Sequence, residues 1–222
     1  MNRPISGTLS SFLAILLLIS NAAFAQHGKD SSNNVADRPW MNKNLSPDER
    51  ADLVLKQLTL EEKLQFLHGN GMSDWRDKPN PNWYLGNGGA GFVLGVSRLG
   101  IPTIQMTDAA YGVRSSAENG RYSTALPSDL ASAASWDPEA ACEYGALIGR
   151  EIRAQGYNMT LGGGVNLTRE PRNGRTFEYL GEDPILAGTM VGNRIKCEQA
   201  QHVIGDIKHF VLNDQEAPRS SV

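Results

Sequence analysis

Residues 101–114, IPTIQMTDAAYGVR, decide the fold of this chain. Residues 101–107 are mainly apolar or β-branched, which predicts a buried strand, and Asp108 marks its end. Arg114 follows Asp108 after a turn that contains Gly112. Functional side chains in α/β proteins collect at the carboxyl ends of parallel strands, so this stretch predicts both a strand and the edge of a site.

The same alternation of strands and helices continues downstream. Asp137 begins a predicted helix that ends at Gly156, and residues 157–161 form the next predicted strand. Asp183 begins a second helix, and residues 203–207 form a third strand. The β-α-β-α-β order predicts about three parallel strands with right-handed crossovers. Three strands and two helices neither cover both faces of a parallel sheet nor close it into a barrel, so the predicted architecture is incomplete.

Upstream of residue 101 the sequence predicts two short helices and a long loop. Ser46 and Thr59 each precede a glutamate by three residues, a capping-box pattern that predicts helix starts, and Gly69 ends the second helix. Residues 70–100 are rich in Gly, Asn and Pro and predict a loop. Residues 86–91, GNGGAG, match a dinucleotide-binding pattern, but no strand precedes them and no helix follows, so we reject that interpretation.

The N-terminus resembles an export signal more than a part of the fold. Residues 12–19, FLAILLLI, follow Arg3 and precede an A-x-A pattern at residues 23–25, which predicts a signal peptide over residues 1–25. A membrane anchor is the alternative, but the run is well short of the roughly 20 residues that span a bilayer. Residues 26–44 are polar and predict a flexible lead-in. The expected location is the periplasm or the cell exterior, without membrane attachment.

Composition narrows the classes of partner and cofactor. The chain has 222 residues and a formal net charge of -3, which argues against binding to nucleic acid. Its four histidines show no metal-ligand spacing, so we expect no metal, and no motif predicts a cofactor. Cys142 and Cys197 each fall within a predicted helix, which favours free, buried thiols over the alternative of a disulfide.

The ends of the three predicted strands all carry polar side chains. One carboxylate among several donors suits a neutral ligand rich in hydroxyls, because each hydroxyl both donates and accepts hydrogen bonds. A phosphorylated ligand is a weaker alternative because Asp108 would repel it, and a structural salt-bridge network is the other alternative. The side chains are Asp108 and Arg114 after the first strand, Arg169, Arg172, Arg175 and Glu178 after the second, and Lys208 and His209 after the third.

Three motifs resemble the N-terminal domain of glycoside hydrolase family 3, the β-glucosidases and related exo-acting glycosidases. They are IPTIQMTDAAYGVR at residues 101–114, RTFEYLGEDPILAG at residues 175–188 and IKHFVLNDQE at residues 207–216. The similarity runs from about Leu45 to the end of the chain. It implies a TIM-like (β/α)8 barrel, of which residues 45–222 would form an incomplete N-terminal portion.

The resemblance also implies roles for individual residues. Asp108 would accept hydrogen bonds from the hydroxyls of a terminal sugar, and Arg114, Arg175, Lys208 and His209 would surround the same ring. Glu178, Glu182 and Asp183 are interpreted as loop braces and, for Asp183, as a helix cap; Glu216 and Arg219 are expected to pair locally. The family usually has Gly-Pro after the aspartate, whereas this chain has Ala109 and Ala110, so the turn that presents Asp108 is expected to differ in detail.

The catalytic residues of the family are not found in this sequence. The family nucleophile is an aspartate in a motif resembling G-F-x-x-S-D-W on a later barrel strand, and the acid/base usually comes from a second domain. Residues 72–75, MSDW, echo that motif in the wrong place, and we interpret the match as chance. The expected function is therefore the N-terminal, sugar-binding part of an exported, retaining β-glycosidase that acts on β-linked glucosides or oligosaccharides, with the rest of the barrel and the second domain missing. A non-catalytic sugar-binding remnant and a phosphate-binding α/β enzyme are the alternatives.

Overall fold

The computed structural model describes residues 38–71, 83–115, 121–210 and 212–216. The predicted signal peptide, the MSDW motif at residues 72–75 and Arg219 lie outside these ranges. The chain divides into two compact units, Met1–Gln57 and Leu58–Val222. None of the helices in the described ranges combines the length and the apolar character needed to cross a bilayer.

The first unit contains a 3-10 turn, Pro39–Met41, and helix α1, Pro47–Leu55. Ser46 caps α1: its side chain accepts from the Glu49 amide, and Glu49 accepts from the Ser46 amide at 2.8 Å. The Arg50 side chain donates to the Trp40 carbonyl oxygen at 2.6 Å, which ties the helix to the turn. The helix start predicted from the capping box is confirmed.

The helices of the second unit begin where their caps predict. Thr59 caps α2 with a second capping box, and Gly69 ends it with φ of +63°. Asp137 and Asp183 cap the two long helices through their carboxylate oxygens, as the sequence predicts. A short additional helix, α3, was not predicted. The helices are α2 Leu60–His68, α3 Asp129–Ala133, α4 Pro138–Ala154 and α5 Pro184–Gln199.

The described strands form a mixed sheet in the order β1-β2-β3. Strand β2, Ile104–Asp108, pairs in parallel with β3, Met159–Leu161, and antiparallel with β1, Gly91–Val93. The α/β class is confirmed, and the predicted strands run parallel, but the sheet is mixed because the unpredicted β1 joins it in the antiparallel direction. Strand β1 lies in a segment predicted to be a loop. The sequence did not predict it because a three-residue strand is too short to show an alternating pattern.

The third predicted strand, residues 203–207, is reduced to two isolated parallel bridges. Ile204 pairs with Met159, and Ile207 pairs with Gly162. Between these positions lie Gly205 and Asp206, two residue types that strands disfavour, and they interrupt the ladder. The segment nevertheless runs parallel to β3, so its carboxyl end reaches the same edge of the sheet as Asp108.

Helices α4 and α5 pack side by side and are covalently joined. The approach is close, because a Cβ on Gly145 would lie 2.1 Å from the Arg194 carbonyl oxygen. Cys142 on α4 and Cys197 on α5 form a disulfide with a Cα–Cα distance of 5.2 Å. The prediction of free thiols is therefore wrong: the sequence places each cysteine on a helix but does not show that the two helix faces meet.

Candidate functional site

Lys208 joins the end of β2 to the end of the segment at residues 203–207. Its Nζ lies 2.9 Å from Asp108 Oδ1 and 3.0 Å from Glu178 Oε1. Asp108 ends β2, Glu178 ends the 3-10 turn Thr176–Glu178, and Lys208 follows the bridge at Ile207. Parallel strands whose carboxyl ends share an edge bring these residues together although Asp108 and Lys208 are 100 positions apart in the chain.

Arg175 extends this network on the other side of Glu178. Its Nη2 lies 2.7 Å from Glu178 Oε2, and its Nη1 lies 3.1 Å from Glu216 Oε1. Glu178 therefore uses one oxygen for Arg175 and the other for Lys208. We call these five side chains the strand-end cluster: Asp108, Arg175, Glu178, Lys208 and Glu216.

His209 lies beside the strand-end cluster. Its amide donates to Asn166 Oδ1 at 3.0 Å, and its ring meets the Tyr179 ring edge to face with centroids 6.0 Å apart. Within the described ranges its buried Nδ1 has no hydrogen-bond partner. Burial, followed by the charges of Arg175 and Lys208, lowers the pKa of His209, so the ring is neutral at neutral pH and can both donate and accept.

The remaining predicted arginines lie at the periphery. Arg114 is exposed and is tied to Asp108 through its amide, which donates to the Asp108 carbonyl oxygen at 2.9 Å. Arg172 pairs with Glu170 at the surface, and Arg169 is exposed. The structure thus unites three of the five predicted ligand-binding residues in one network, places His209 next to it, and leaves the Arg114 side chain outside it.

The charges of the cluster are fixed by mutual pairing. Burial alone would raise the pKa of Glu178, but its contacts with Arg175 and Lys208 outweigh burial and lower it. Burial alone would lower the pKa of Lys208, but Asp108 and Glu178 outweigh it and raise the value. Both groups are therefore ionised at neutral pH. With three carboxylates and two cations, the cluster carries an excess of negative charge.

Asp108 is the carboxylate most open to a ligand. Its side chain keeps 40% of its surface exposed, whereas that of Glu178 keeps 8%. An exposed carboxylate beside an ammonium group presents an acceptor and a donor to neighbouring hydroxyls. Glu178, held on both sides, positions the two cations.

A cavity of about 440 Å³ lies beside His209. Its lining does not include Asp108, Arg175 or Lys208, and it is formed in part by the highly exposed Phe210 and Leu212. The paired carboxylate and ammonium groups that suit a hydroxyl-rich ligand therefore lie in the strand-end cluster and not in this cavity. In the described residues no group of three or more His, Cys, Asp or Glu side chains is arranged to hold a metal ion.

Sequence reasoning missed the asparagines that support the cluster. Asn213 Nδ2 donates to Glu216 Oε1 at 3.1 Å, and Asn173 Nδ2 donates to the Asn213 carbonyl oxygen at 3.0 Å. Asn166 orients His209, as described above. Single asparagines in loops have no spacing pattern, so no signal in one sequence could have identified them.

Comparisons with known proteins identify sequences and structures similar to this chain. The sequence model described as "Glycosyl hydrolase family 3 N terminal domain" matches residues 90–217. Thermostable beta-glucosidase B of Acetivibrio thermocellus is 37% identical over 177 residues, which are 76% of this chain and 21% of that protein. Beta-glucosidase BoGH3A of Bacteroides ovatus is 40% identical over 182 residues, 78% of this chain and 22% of that protein. The chain thus spans about a fifth of the length of these relatives.

Two similar solved structures are complexes with glucose. Beta-glucosidase 3B of Thermotoga neapolitana, with alpha-D-glucose, has a TM-score of 0.66 and 38% identity, covering 74% of this chain and 23% of that one. DesR, a beta-glucosidase of Streptomyces venezuelae with D-glucose, has a TM-score of 0.64 and 34% identity, covering 77% and 20%.

Proposed function

The chain belongs to glycosyl hydrolase family 3, matching its N-terminal domain, and from that premise we propose that it is the sugar-binding part of an exported β-glycosidase. The complete enzyme would remove terminal non-reducing sugars from β-linked glucosides or oligosaccharides with retention of configuration. The similar proteins named above, which are beta-glucosidases, support this proposal.

The observation that carries the proposal is the convergence of Asp108 and Lys208 at one sheet edge. Lys208 Nζ is 2.9 Å from Asp108 Oδ1, so one sugar hydroxyl can donate to the carboxylate while its neighbour accepts from the ammonium group. Arg175, Glu178 and Glu216 hold this pair in place. Because carboxylates outnumber cations in the cluster, a neutral pyranose fits better than a phosphorylated ligand.

The carboxylates of the strand-end cluster are proposed to bind sugar rather than to cleave its linkage. A general acid needs a raised pKa, whereas the pKa of Glu178 is lowered by Arg175 and Lys208 despite burial. Retaining glycosidases place two catalytic carboxyl groups about 5–5.5 Å apart, one as nucleophile and one as acid/base. In this proposal both groups come from the rest of the enzyme, and β2, β3 and the segment at Ile204 and Ile207 are successive strands of a TIM-like barrel.

An oxidising compartment is the proposed location. The disulfide between Cys142 and Cys197 is the kind of bond that persists in the periplasm or outside the cell and is rare in the cytosol. The signal peptide predicted over residues 1–25 agrees with this location.

Calorimetry on the purified chain tests the proposal. We expect D-glucose to bind, Asp108→Asn to weaken binding by at least about tenfold, and Asp52→Asn, at an exposed acid on α1, to leave it unchanged. Tighter binding of glucose 6-phosphate than of glucose would favour the phosphate-binding alternative. Hydrolysis of an aryl β-glucoside by this chain alone would contradict the assignment of catalysis to other parts of the enzyme.

A further inference from the structure

The two residues that follow Asp108 are held by buried side chains from the helices. The Arg194 Nη2 group donates to the Ala109 carbonyl oxygen at 2.7 Å. The Tyr144 hydroxyl lies 3.0 Å from the Ala110 carbonyl oxygen and 2.7 Å from that of Pro127 and can share its proton between them. The carbonyl oxygens of Ala109 and Ala110 therefore each contact a buried donor from a helix, and Ala110 shares its donor with Pro127.

The donors are themselves fixed in place. Arg194 is buried on α5, where its Nη1 is 2.7 Å from Asp129 Oδ1 and its Nε is 2.9 Å from Glu198 Oε1. The guanidinium carbon lies 4.9 Å from the centre of the Tyr144 ring, which it covers. We call Asp129, Arg194 and Glu198 the buried cluster. Since guanidinium is planar, fixing two of its edges fixes the direction in which the Nη2 group donates.

The two alanines after Asp108 place little restriction on the backbone, although the Thr107 hydroxyl can donate to the carbonyl oxygens of Asp108 and Arg114. Ala109 and Ala110 lack the ring by which proline fixes φ, and neither side chain can make a hydrogen bond. The turn is closed by the Arg114 amide, which donates to the Asp108 carbonyl oxygen. Ala109 is fully buried, so Arg194 reaches its carbonyl where water does not compete.

We propose that Arg194 and Tyr144 are positioning residues for the Asp108 carboxylate: they anchor the backbone after Asp108 so that the carboxylate faces Lys208. Neither side chain would touch a ligand. The consequence for sugar affinity rests on the proposed function, whereas the restraint of the turn does not. The buried cluster thus links the fold of the helices to the geometry of the site.

Tyr144→Phe tests this role because it removes the hydroxyl and keeps the ring beneath Arg194. The matched control is Tyr157→Phe: Tyr157 is also buried, lies under the Arg121 guanidinium, and donates to a backbone carbonyl, that of Asn87, at 3.0 Å. Amide hydrogen exchange at Arg114 reports on the turn without any ligand. Calorimetry with D-glucose reports on the carboxylate.

We expect the Arg114 amide to exchange about tenfold faster in Tyr144→Phe, and the dissociation constant for D-glucose to rise about tenfold, with both within about twofold of the original chain in Tyr157→Phe. Unchanged exchange at Arg114, or faster exchange with unchanged glucose affinity, would overturn the positioning role. Faster exchange in a chain that binds no glucose would support the restraint and contradict the proposed function instead. Should the variant fail to fold, rapid exchange of the Arg114 amide in the original chain would also overturn the inference, since an anchored turn protects that amide.

Discussion

The strand-end cluster and the buried cluster use the same pairing chemistry with opposite electrostatic results. In the first, the contacts of Glu178 with two cations outweigh burial and lower its pKa. In the second, burial outweighs Arg194 and raises the pKa of Asp129 to about 6, and that of Glu198 also rises. Two carboxylates share one cation there, away from water. The comparison shows that solvent access and the number of cations, more than pairing itself, decide whether the pKa of a paired carboxylate rises or falls.

This difference separates the strand-end cluster, which can bind a ligand, from the buried cluster, which supports the fold. The strand-end cluster contains the partly exposed Asp108, which can exchange part of its hydration for sugar hydroxyls. The buried cluster has no such access, and its guanidinium holds the backbone at Ala109. Substitutions in the strand-end cluster should therefore lower sugar affinity more than stability, and substitutions in the buried cluster should mainly lower the free energy of unfolding.

Arg194→Met should give the largest effect. The change leaves Asp129 and Glu198 buried without their cation, and breaking a buried ion pair in this way costs about 3–5 kcal/mol of the free energy of unfolding. Urea denaturation of the variant against Arg172→Met, at a surface arginine paired with Glu170, measures it. Equal losses in the two variants would break the distinction between buried and exposed pairs.

Opening the disulfide should have the next largest effect. Cys142→Ala with Cys197→Ala removes a link between α4 and α5, the two helices that carry Tyr144 and Arg194. We expect the free energy of unfolding to fall by about 2–4 kcal/mol, because the unfolded chain regains freedom over a 55-residue separation. Denaturation of the double variant beside the oxidised original chain measures this, and a change below about 1 kcal/mol would show that the helices need no link.

Asp129→Asn should change how stability depends on pH. The folded chain holds a proton on Asp129 up to about pH 6, whereas an unfolded aspartate loses it near pH 3.9, so ionisation of Asp129 makes the original chain less stable as pH rises between those values. Arg194 moderates this loss. Glu178 and Tyr144 also interact electrostatically with Asp129, and Glu198 shares the Arg194 guanidinium with it.

Asparagine does not ionise, so the variant should lack this decline, which amounts to up to roughly 3 kcal/mol for a shift of about two pKa units. Urea denaturation from pH 4 to 7 on both chains gives the difference curve. A curve that is flat across this range would contradict the raised pKa of Asp129, and one that rises with pH would reverse its sign.

Lys208→Met should have the smallest effect on stability. The pairs it removes are only partly buried, and we expect a loss of about 1 kcal/mol together with a clear loss of glucose affinity. Lys196→Met, at an exposed lysine on α5, is the control for removal of a positive charge. A loss of stability as large as that of Arg194→Met, with glucose affinity retained, would show that Lys208 supports the fold and does not bind the sugar.

Local signals in the sequence predicted the helices well. Ser46, Thr59, Asp137 and Asp183 cap helices through contacts within three residues, so their patterns are visible in one sequence. The meeting of Asp108 with Lys208 was also predictable, because parallel topology determines which strand ends share an edge.

The features that escaped prediction depend on tertiary contacts. The disulfide requires knowing which faces of α4 and α5 meet, and Arg194 looks like any helix arginine until Asp129 is found 2.7 Å away. Strand β1 is too short for a period, and the interruption at Gly205 and Asp206 reduced the third strand to bridges. These outcomes are decided by packing between segments distant in the sequence.

An NMR titration with D-glucose tests the central claim most directly. In a chain labelled with 15N in the side chains of lysine, histidine and arginine, we expect the signals of Lys208 and His209 to shift and saturate together. The Arg194 Nε signal, from the buried cluster, should stay in place, and Asp108→Asn should abolish the shifts. Signals of Lys208 and His209 that remain unmoved at saturating glucose, or that move only with glucose 6-phosphate, would contradict a sugar site at this edge of the sheet.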